Sequence, residues 1–513
     1  MAGYVIGVDA GTESFRAGVF DAAGKCLGFG VSPNKTIHRH PGWAEQSPRD
    51  WDASLVECIR KALAASRVSG TEVEGIGVDG TSCTVVFLDA RGEPLRDAVM
   101  WMDIRAVKEA EEVAATGDPA LRYAGHGNVS AEWFPCKTAW VKRNEPKVYA
   151  DAVTVFEETD WLAYRLTGER TANIDTTTIR WFYNSTLGGL PVSLYKAMGL
   201  EDLLTKVPRR IVKIGEVVGG LTREMASRTG LREGIPIAGG AADAFIGVIG
   251  INALTPGTIA LITGSSTLCI GITDREIHAP GLWGSYPDAI LPGLQVIEAG
   301  QVSTGSVVHW FTQGFVGAEI ASEATRKGCS VYDVLNARAA SIPPGSEGLI
   351  VLEHWQGNRT PWVDPLSRGV IRGLTLSHTS AHVYRAILEG VAYGTEVILR
   401  LMAQYGVRID NVVACGGATQ SDLWMQIHAD VSGKPITIPE EQQAVTLGSA
   451  IAATVAAGIH QDLAGAAEVM VRTRKVVEPD LAAHARYADM VGQYEETYEG
   501  LKEASHRLVK SLG

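Results

Sequence analysis

Two stretches far apart in this chain share one outline, and repetition of that kind constrains the fold more than any other feature. The apolar run Val5-Ile6-Gly7-Val8-Asp9 leads through Ala10-Gly11-Thr12-Glu13-Ser14 into a second run from Arg16 to Phe20. Thr258 to Ile262 leads in the same way through Thr263-Gly264-Ser265-Ser266-Thr267 into Leu268 to Ile272. Each reads as a strand, a tight turn and a strand. At an offset of 253 residues, Gly11 meets Gly264, Thr12 meets Ser265, Ser14 meets Thr267, Gly18 meets Gly271 and Asp21 meets Asp274. The whole chain has 513 residues, and a single hydrophobic core stops growing near ~250–300. Two related α/β domains are therefore expected, over 1–253 and 254–478, divided where Gly250-Ile251-Asn252-Ala253 and Thr255-Pro256-Gly257 break the pattern. A polar helical tail over 479–513 is expected to pack on the outside. Helices support each half: Ser47-Pro48-Arg49-Asp50 carries an N-cap, a first-turn proline and an acid before an apolar stripe, and Ala381 to Met402 reads as another.

A net charge of −12 argues against nucleic acid or membrane as partner, because both are polyanionic surfaces that need clustered Lys and Arg. Anionic ligands must then be held locally, by backbone amides or a metal. The seven cysteines (26, 58, 83, 136, 269, 329 and 415) have no CxxC spacing, so neither a zinc site nor a disulfide framework is indicated, and a reducing cytosol fits. Met1 to Asp9 runs straight into a strand, with neither a basic leader nor an apolar span, which makes a cytoplasmic location the expectation.

Phosphoryl transfer asks little covalent chemistry of a protein. It needs a metal, donors around phosphate oxygens and a base near the attacking hydroxyl. Asp9 is a carboxylate at a strand end, Gly11 lets a turn approach phosphate, and Thr12 and Ser14 add hydroxyl donors. The second turn repeats the glycine and hydroxyls but has Ile262 in place of Asp9, which suits one metal held from one side. Taken alone, a Gly-Thr turn between strands is an ordinary hairpin, and Asp9 could cap it. Asp243, after Gly239-Gly240-Ala241-Ala242, could likewise be a helix N-cap or a base. Gly416-Gly417-Ala418 follows the apolar run Asn411 to Cys415 and precedes a helix beginning near Asp422, so it can bring backbone up to a flat ring or a phosphate, or serve close packing. Neither a dinucleotide G-x-G-x-x-G fingerprint nor a P-loop is present.

With these pieces in order, the chain resembles the FGGY carbohydrate kinases over nearly its full length. Gly369-Val370-Ile371-Arg372-Gly373-Leu374, seven residues, then His382-Val383-Tyr384-Arg385-Ala386-Ile387-Leu388-Glu389 is similar to the family's C-terminal signature. The resemblance implies two duplicated ribonuclease-H-like domains of the actin and hexokinase type, with ATP and a sugar meeting in the cleft between them. It implies ATP and magnesium as cofactors, Asp9 as the metal-associated acid, and Gly11, Thr12, Glu13 and Ser14 as the first phosphate turn. Gly264 and Ser265 then form the second, Gly416, Gly417, Ala418 and Asp422 the adenosine site, and Asp243 the catalytic base in contact with the sugar.

Segments around Asp79 to Thr84, Ser130 to Trp133 ahead of Lys137, and Gly357 to Pro361 are similar to ribulokinases, and Trp101-Met102-Asp103-Ile104-Arg105 resembles the W-x-D-x-R of pentulose kinases. These put Cys83, Asp103, Glu132 and Lys137 beside the sugar, although each could instead belong to a solvated loop and the tryptophans to the core. Phe134 departs from the family's N-terminal signature, where Pro, Ser or Thr is usual, which weakens a xylulose assignment. The expected activity is ATP-dependent phosphorylation of a ketopentose, D- or L-ribulose first. Xylulose or a polyol (xylitol, erythritol) remains an alternative of the same family, and a non-catalytic sugar- or ATP-sensing protein one of another class. The partner is a small sugar, with a homodimer compatible.

Overall fold

The computed structural model describes residues 3–511 apart from 126 and 128. Val5 to Ala10 are buried without a break, as in a strand covered on both faces of its sheet. The strand Tyr4–Ala10 pairs antiparallel with Ser14–Asp21 and parallel with Val73–Gly80, which sets Asp9 beside Asp79. The first sheet has six strands, in the order Val217–Gly220, Pro236–Ala238, Val73–Gly80, Tyr4–Ala10, Ser14–Asp21 and Cys26–Pro33. In the second sheet Gly257–Thr263 pairs antiparallel with Thr267–Thr273 and parallel with Ile409–Gly416, which sets Thr263 beside Gly416. The two hairpins read from the sequence thus occupy equivalent places in two sheets. Each lies beside a parallel strand whose C-terminal end carries a glycine, Gly80 or Gly416.

One helix of the second half, Ala444–Ala456, packs on the first sheet and on the helix Asp243–Gly250. Its small residues let backbone lie on backbone. A Cβ on Gly77 would come within 1.9 Å of the Ser449 carbonyl oxygen, and one on Gly250 within 1.8 Å of that of Ala444, so no side chain fits at either place. Sequence neighbours of Asp9, Asp79 and Asp243 are held this way against one rigid element.

The tail forms the 31-residue helix Leu481–Ser511. Its outer face is polar, while Tyr487, Val491, Tyr494 and Tyr498 are buried in the core of the second half. There the helix meets the C-terminal signature. Arg385 and Glu389, one turn apart and both buried, form an ion pair at 2.8 Å, and the Tyr487 hydroxyl donates to Glu389 at 2.8 Å. Glu389 also accepts from Ser346 Oγ at 2.7 Å and from the Gly345 N–H at 3.1 Å. These signature charges therefore brace the domain. Arg385→Ala, which strands a buried carboxylate, is expected to destabilise the protein by about 3–5 kcal/mol. Thermal unfolding measures this, and an unchanged midpoint would remove the bracing role.

None of the seven cysteines is in a disulfide, and no helix among the described residues is long and apolar enough to cross a membrane.

Candidate active site

The turn Gly11 to Ser14 is tied down from three directions. Asn34 Nδ2 donates to the Gly11 carbonyl at 3.2 Å, Gln46 Nε2 to that of Thr12 at 2.7 Å, and the Trp101 indole to Thr12 Oγ1 at 2.9 Å. Glu13 is exposed, whereas Ser14 is buried as the first residue of its strand. In the second hairpin Gly264 and Ser265 are exposed, and their carbonyls accept the N–H groups of Thr304, Gly305 and Ser306 at the start of the helix Gly305–Gly314. Thr263 links this turn to the next strand: its hydroxyl donates to the Cys415 carbonyl at 2.7 Å and accepts the Ala418 N–H at 3.2 Å.

Gly416 has φ of +92°, a conformation that an L side chain avoids, and Gly417 has open space where a Cβ would stand. Both line a cavity of about 210 Å³ with Thr419, Gln420, Gln443 and Arg474. Ala418 is buried beside it. Asp422 is outside its wall, exposed and ion-paired with Lys475. A larger cavity, about 540 Å³, lies beyond Glu45 and is lined by Arg39, Arg96, Asp97 and Glu145. It contains none of the site residues predicted from the sequence, and Arg39, Arg96, Asp97 and Glu145 are paired within its wall, the arginines also with Glu45. Size is therefore a poor guide here, and the chemistry gathers elsewhere.

Four carboxylates converge at the ends of the first-sheet strands. Asp9 is buried, with Arg16 Nη1 at 3.0 Å; burial raises its carboxyl above the usual range against the pull of that guanidinium. Asp243 opens the helix Asp243–Gly250, where its Oδ1 accepts the Ala244 N–H at 2.7 Å. Burial first, and then the charge of Asp9, push its carboxyl up to about 6. Asp79 accepts the Ser449 hydroxyl at 2.5 Å, and burial together with the charge of Asp9 holds its carboxyl well above the usual carboxylate range. Glu158, pushed up to about 8 by burial, accepts from the Thr81 N–H at 3.1 Å and hydroxyl at 2.5 Å. The charge of Arg180 draws the Asp243 carboxyl back down. Arg180 crosses between the halves, with Glu298 at 2.9 Å and the Tyr286 hydroxyl at 3.2 Å.

Of the residues expected beside a sugar, Cys83, Asp103 and Lys137 are all buried and Glu132 is half-buried. Asp103 accepts the Ala44 N–H at 2.6 Å and is gripped by Arg105 at 2.8 and 2.7 Å, which braces the loop carrying Trp101. Lys137 donates to the carbonyls of Cys83, Met100 and Trp101. The sequence reading passed over Asp79, Glu157, Glu158, Arg180 and Glu298. Asp79 stood inside a quoted segment, but the others carry no local motif.

Two family models cover almost the whole chain: the N-terminal domain of the FGGY family of carbohydrate kinases over residues 4–250, and its C-terminal domain over 259–457. A ribulokinase of Geobacillus thermodenitrificans (strain NG80-2) is 32% identical, with 99% of this chain and 96% of the relative covered. A human FGGY carbohydrate kinase domain-containing protein is also 32% identical, with 93% of each covered. Among solved structures, xylulose kinase from Rhodospirillum rubrum matches with a TM-score of 0.85 at 29% identity, over 98% of this chain and 100% of that one. The duplicated α/β architecture is accordingly of the actin and hexokinase ATPase type. With both domains matched in order, and relatives above 30% identity over nearly the full length, the chain belongs to the FGGY family and is a carbohydrate kinase.

Proposed function

We propose that the enzyme transfers the terminal phosphoryl group of ATP to a hydroxyl of a ketopentose, with ribulose as the preferred sugar. The observation that carries this reading is the Asp243 carboxyl, half-buried at the start of its helix, in the field of Asp9 and Arg180 and pushed up to about 6. Such a group is ionised at neutral pH yet basic enough to accept a proton. The sugar oxygen attacks the γ-phosphorus, its proton passes to Asp243, and the bond from that phosphorus to the β–γ bridging oxygen breaks to release ADP. Arg180 and Glu298, with Trp133 under the guanidinium at 5.7 Å, supply the charged and aromatic groups a sugar's hydroxyls and C–H face would meet. The half-buried turn at Gly11 and the exposed turn at Gly264 would take the phosphates and the cavity at Gly416 the adenosine.

Magnesium fits the residues present. Among the described residues, no three His, Cys, Asp or Glu side chains are arranged to hold a metal by themselves. Magnesium suits such a site because it relies on one or two carboxylates together with phosphate oxygens and water. Asp9, a buried acid offset only in part by Arg16, is the residue that would face it, and a neighbouring oxygen, Asp79 Oδ1, is buried with no hydrogen-bond partner. When bound, the ion would neutralise charge on the phosphates.

Ribulose rests on relatives named as ribulokinases at 30–33% identity. The solved xylulose kinase at 29% supports xylulose as the second reading. Assaying ADP formation with ATP and magnesium against D- and L-ribulose, D-xylulose, xylitol, erythritol and ketohexoses decides between them. A ribulose isomer is expected to show the highest kcat/KM, and a higher value for xylulose or a polyol overturns the assignment.

A further inference from the structure

Cys83 is held in a conformation it would not choose. Its φ is +64°, a region in which a residue with a Cβ is uncommon and which only a surrounding structure that over-determines it maintains. What holds it is a pair of buried polar side chains, a carboxyl and an amine, one on each side of the same residue. The Cys83 N–H donates to Glu157 Oε2 at 2.8 Å, and the Cys83 carbonyl accepts from Lys137 Nζ at 2.8 Å. We propose that Lys137 and Glu157 form a clamp that fixes the Cys83 peptide in the left-handed conformation and thereby shapes the wall of the sugar site. Both are positioning residues, and neither is a ligand of the sugar.

The donor count supports this directly. An ammonium group has three N–H bonds. Lys137 spends them on three carbonyl oxygens, Cys83 at 2.8 Å, Met100 at 2.5 Å and Trp101 at 3.1 Å, and its side chain is fully buried. No donor is left for a sugar hydroxyl. Both oxygens of Glu157 are likewise engaged, because the second accepts the Trp181 indole N–H at 2.7 Å. The Cys83 thiol takes no part: it is 3% exposed, and burial pushes it up to about 12, so it stays protonated. The backbone of Cys83 is the feature being presented.

The clamp also reaches the phosphate end. Through the Trp101 carbonyl, Lys137 fixes the residue whose indole donates to Thr12 Oγ1 in the first turn. One buried ammonium thus registers the Cys83 turn, the Trp101 loop and the Gly11 to Ser14 turn to one another. An error of about 1 Å in such a register costs on the order of 10²-fold in rate.

The proposal rests on the sugar-kinase reading of this site, so wild-type enzyme is first assayed on the sugar panel, and the best sugar found is used afterwards. A wrong sugar then fails the earlier reading alone. Glu157→Gln keeps the shape but offers one carbonyl oxygen to two donors, so either the Cys83 N–H or the Trp181 indole faces an NH₂ group. It is expected to raise the sugar KM by roughly 10-fold to 100-fold. The ATP KM should stay within about 2-fold, since uniform binding of the nucleotide is untouched. Glycine adopts positive φ without steric cost, so Glu157→Gln combined with Cys83→Gly is expected to recover most of the lost sugar affinity. Lys137→Met should raise the sugar KM in the same way and the ATP KM as well, because it also releases the Trp101 carbonyl. An unchanged sugar KM in both single variants, or a loss that Cys83→Gly does not reverse, overturns the clamp. If neither single variant folds, as judged by circular dichroism, Cys83 decides alone. Cys83→Val, whose branched side chain disfavours positive φ, is then expected to show a higher sugar KM than Cys83→Gly, and equal values for the two overturn the proposal.

Discussion

Asp243→Ala is expected to lose turnover by on the order of 10²–10⁴, the usual worth of a general base, while binding ATP and sugar almost as before. The proton it accepts moves only as the phosphoryl group is transferred, so its removal should appear in kcat and in kcat/KM about equally. The pH profile gives a second measure. The carboxyl is pushed up to about 6 by burial and by Asp9, and only its ionised form can accept a proton. The wild-type rate should therefore fall as pH drops through about 6, and that acid limb should vanish from the residual activity of Asp243→Ala. Turnover like that of the parent in a folded variant would end the assignment of Asp243 as base.

Asp9→Asn tests the metal end and the base together. The amide keeps the shape of the carboxylate but gives up its charge, and changes beside a metal commonly cost roughly 10-fold to 100-fold in metal affinity or activity. The magnesium concentration for half-maximal rate should rise accordingly. Because the Asp9 charge is one of the causes that raise the Asp243 carboxyl, its loss should make Asp243 easier to ionise. The acid limb then moves to lower pH. Arg16, left without its partner, is 39% exposed and can be solvated, so the fold should survive. A variant with the parent's magnesium dependence and an unmoved acid limb would mean that Asp9 merely shapes its turn.

The duplication was legible before any coordinates because a tight turn between two strands is a local object. Its glycine and hydroxyls are written into five consecutive residues, and the same outline recurs at Gly11 and Gly264. The C-terminal signature was legible for the same reason, being a short strand, Val370–Arg372, and the first turns of one helix, Ser380–Gln404. Its charged residues proved to brace Tyr487 and the terminal helix, and no linear pattern distinguishes a brace from a ligand.

The sequence by itself determined the two-domain α/β plan, the paired turns and the acids at strand ends, since strand periodicity and turn chemistry act over a few residues. Only the tertiary structure decided what those residues meet. Asp79 and Ser449 stand 370 positions apart and touch at 2.5 Å, and Arg180 reaches Glu298 from the other half of the chain. Lys137 and Asp103 were recognisable as polar residues of interest. Whether such a group turns to substrate or to backbone depends on how many of its donors or acceptors the surrounding carbonyls and N–H groups use up. That count is a property of packing between distant segments, and for Lys137 it comes to all three.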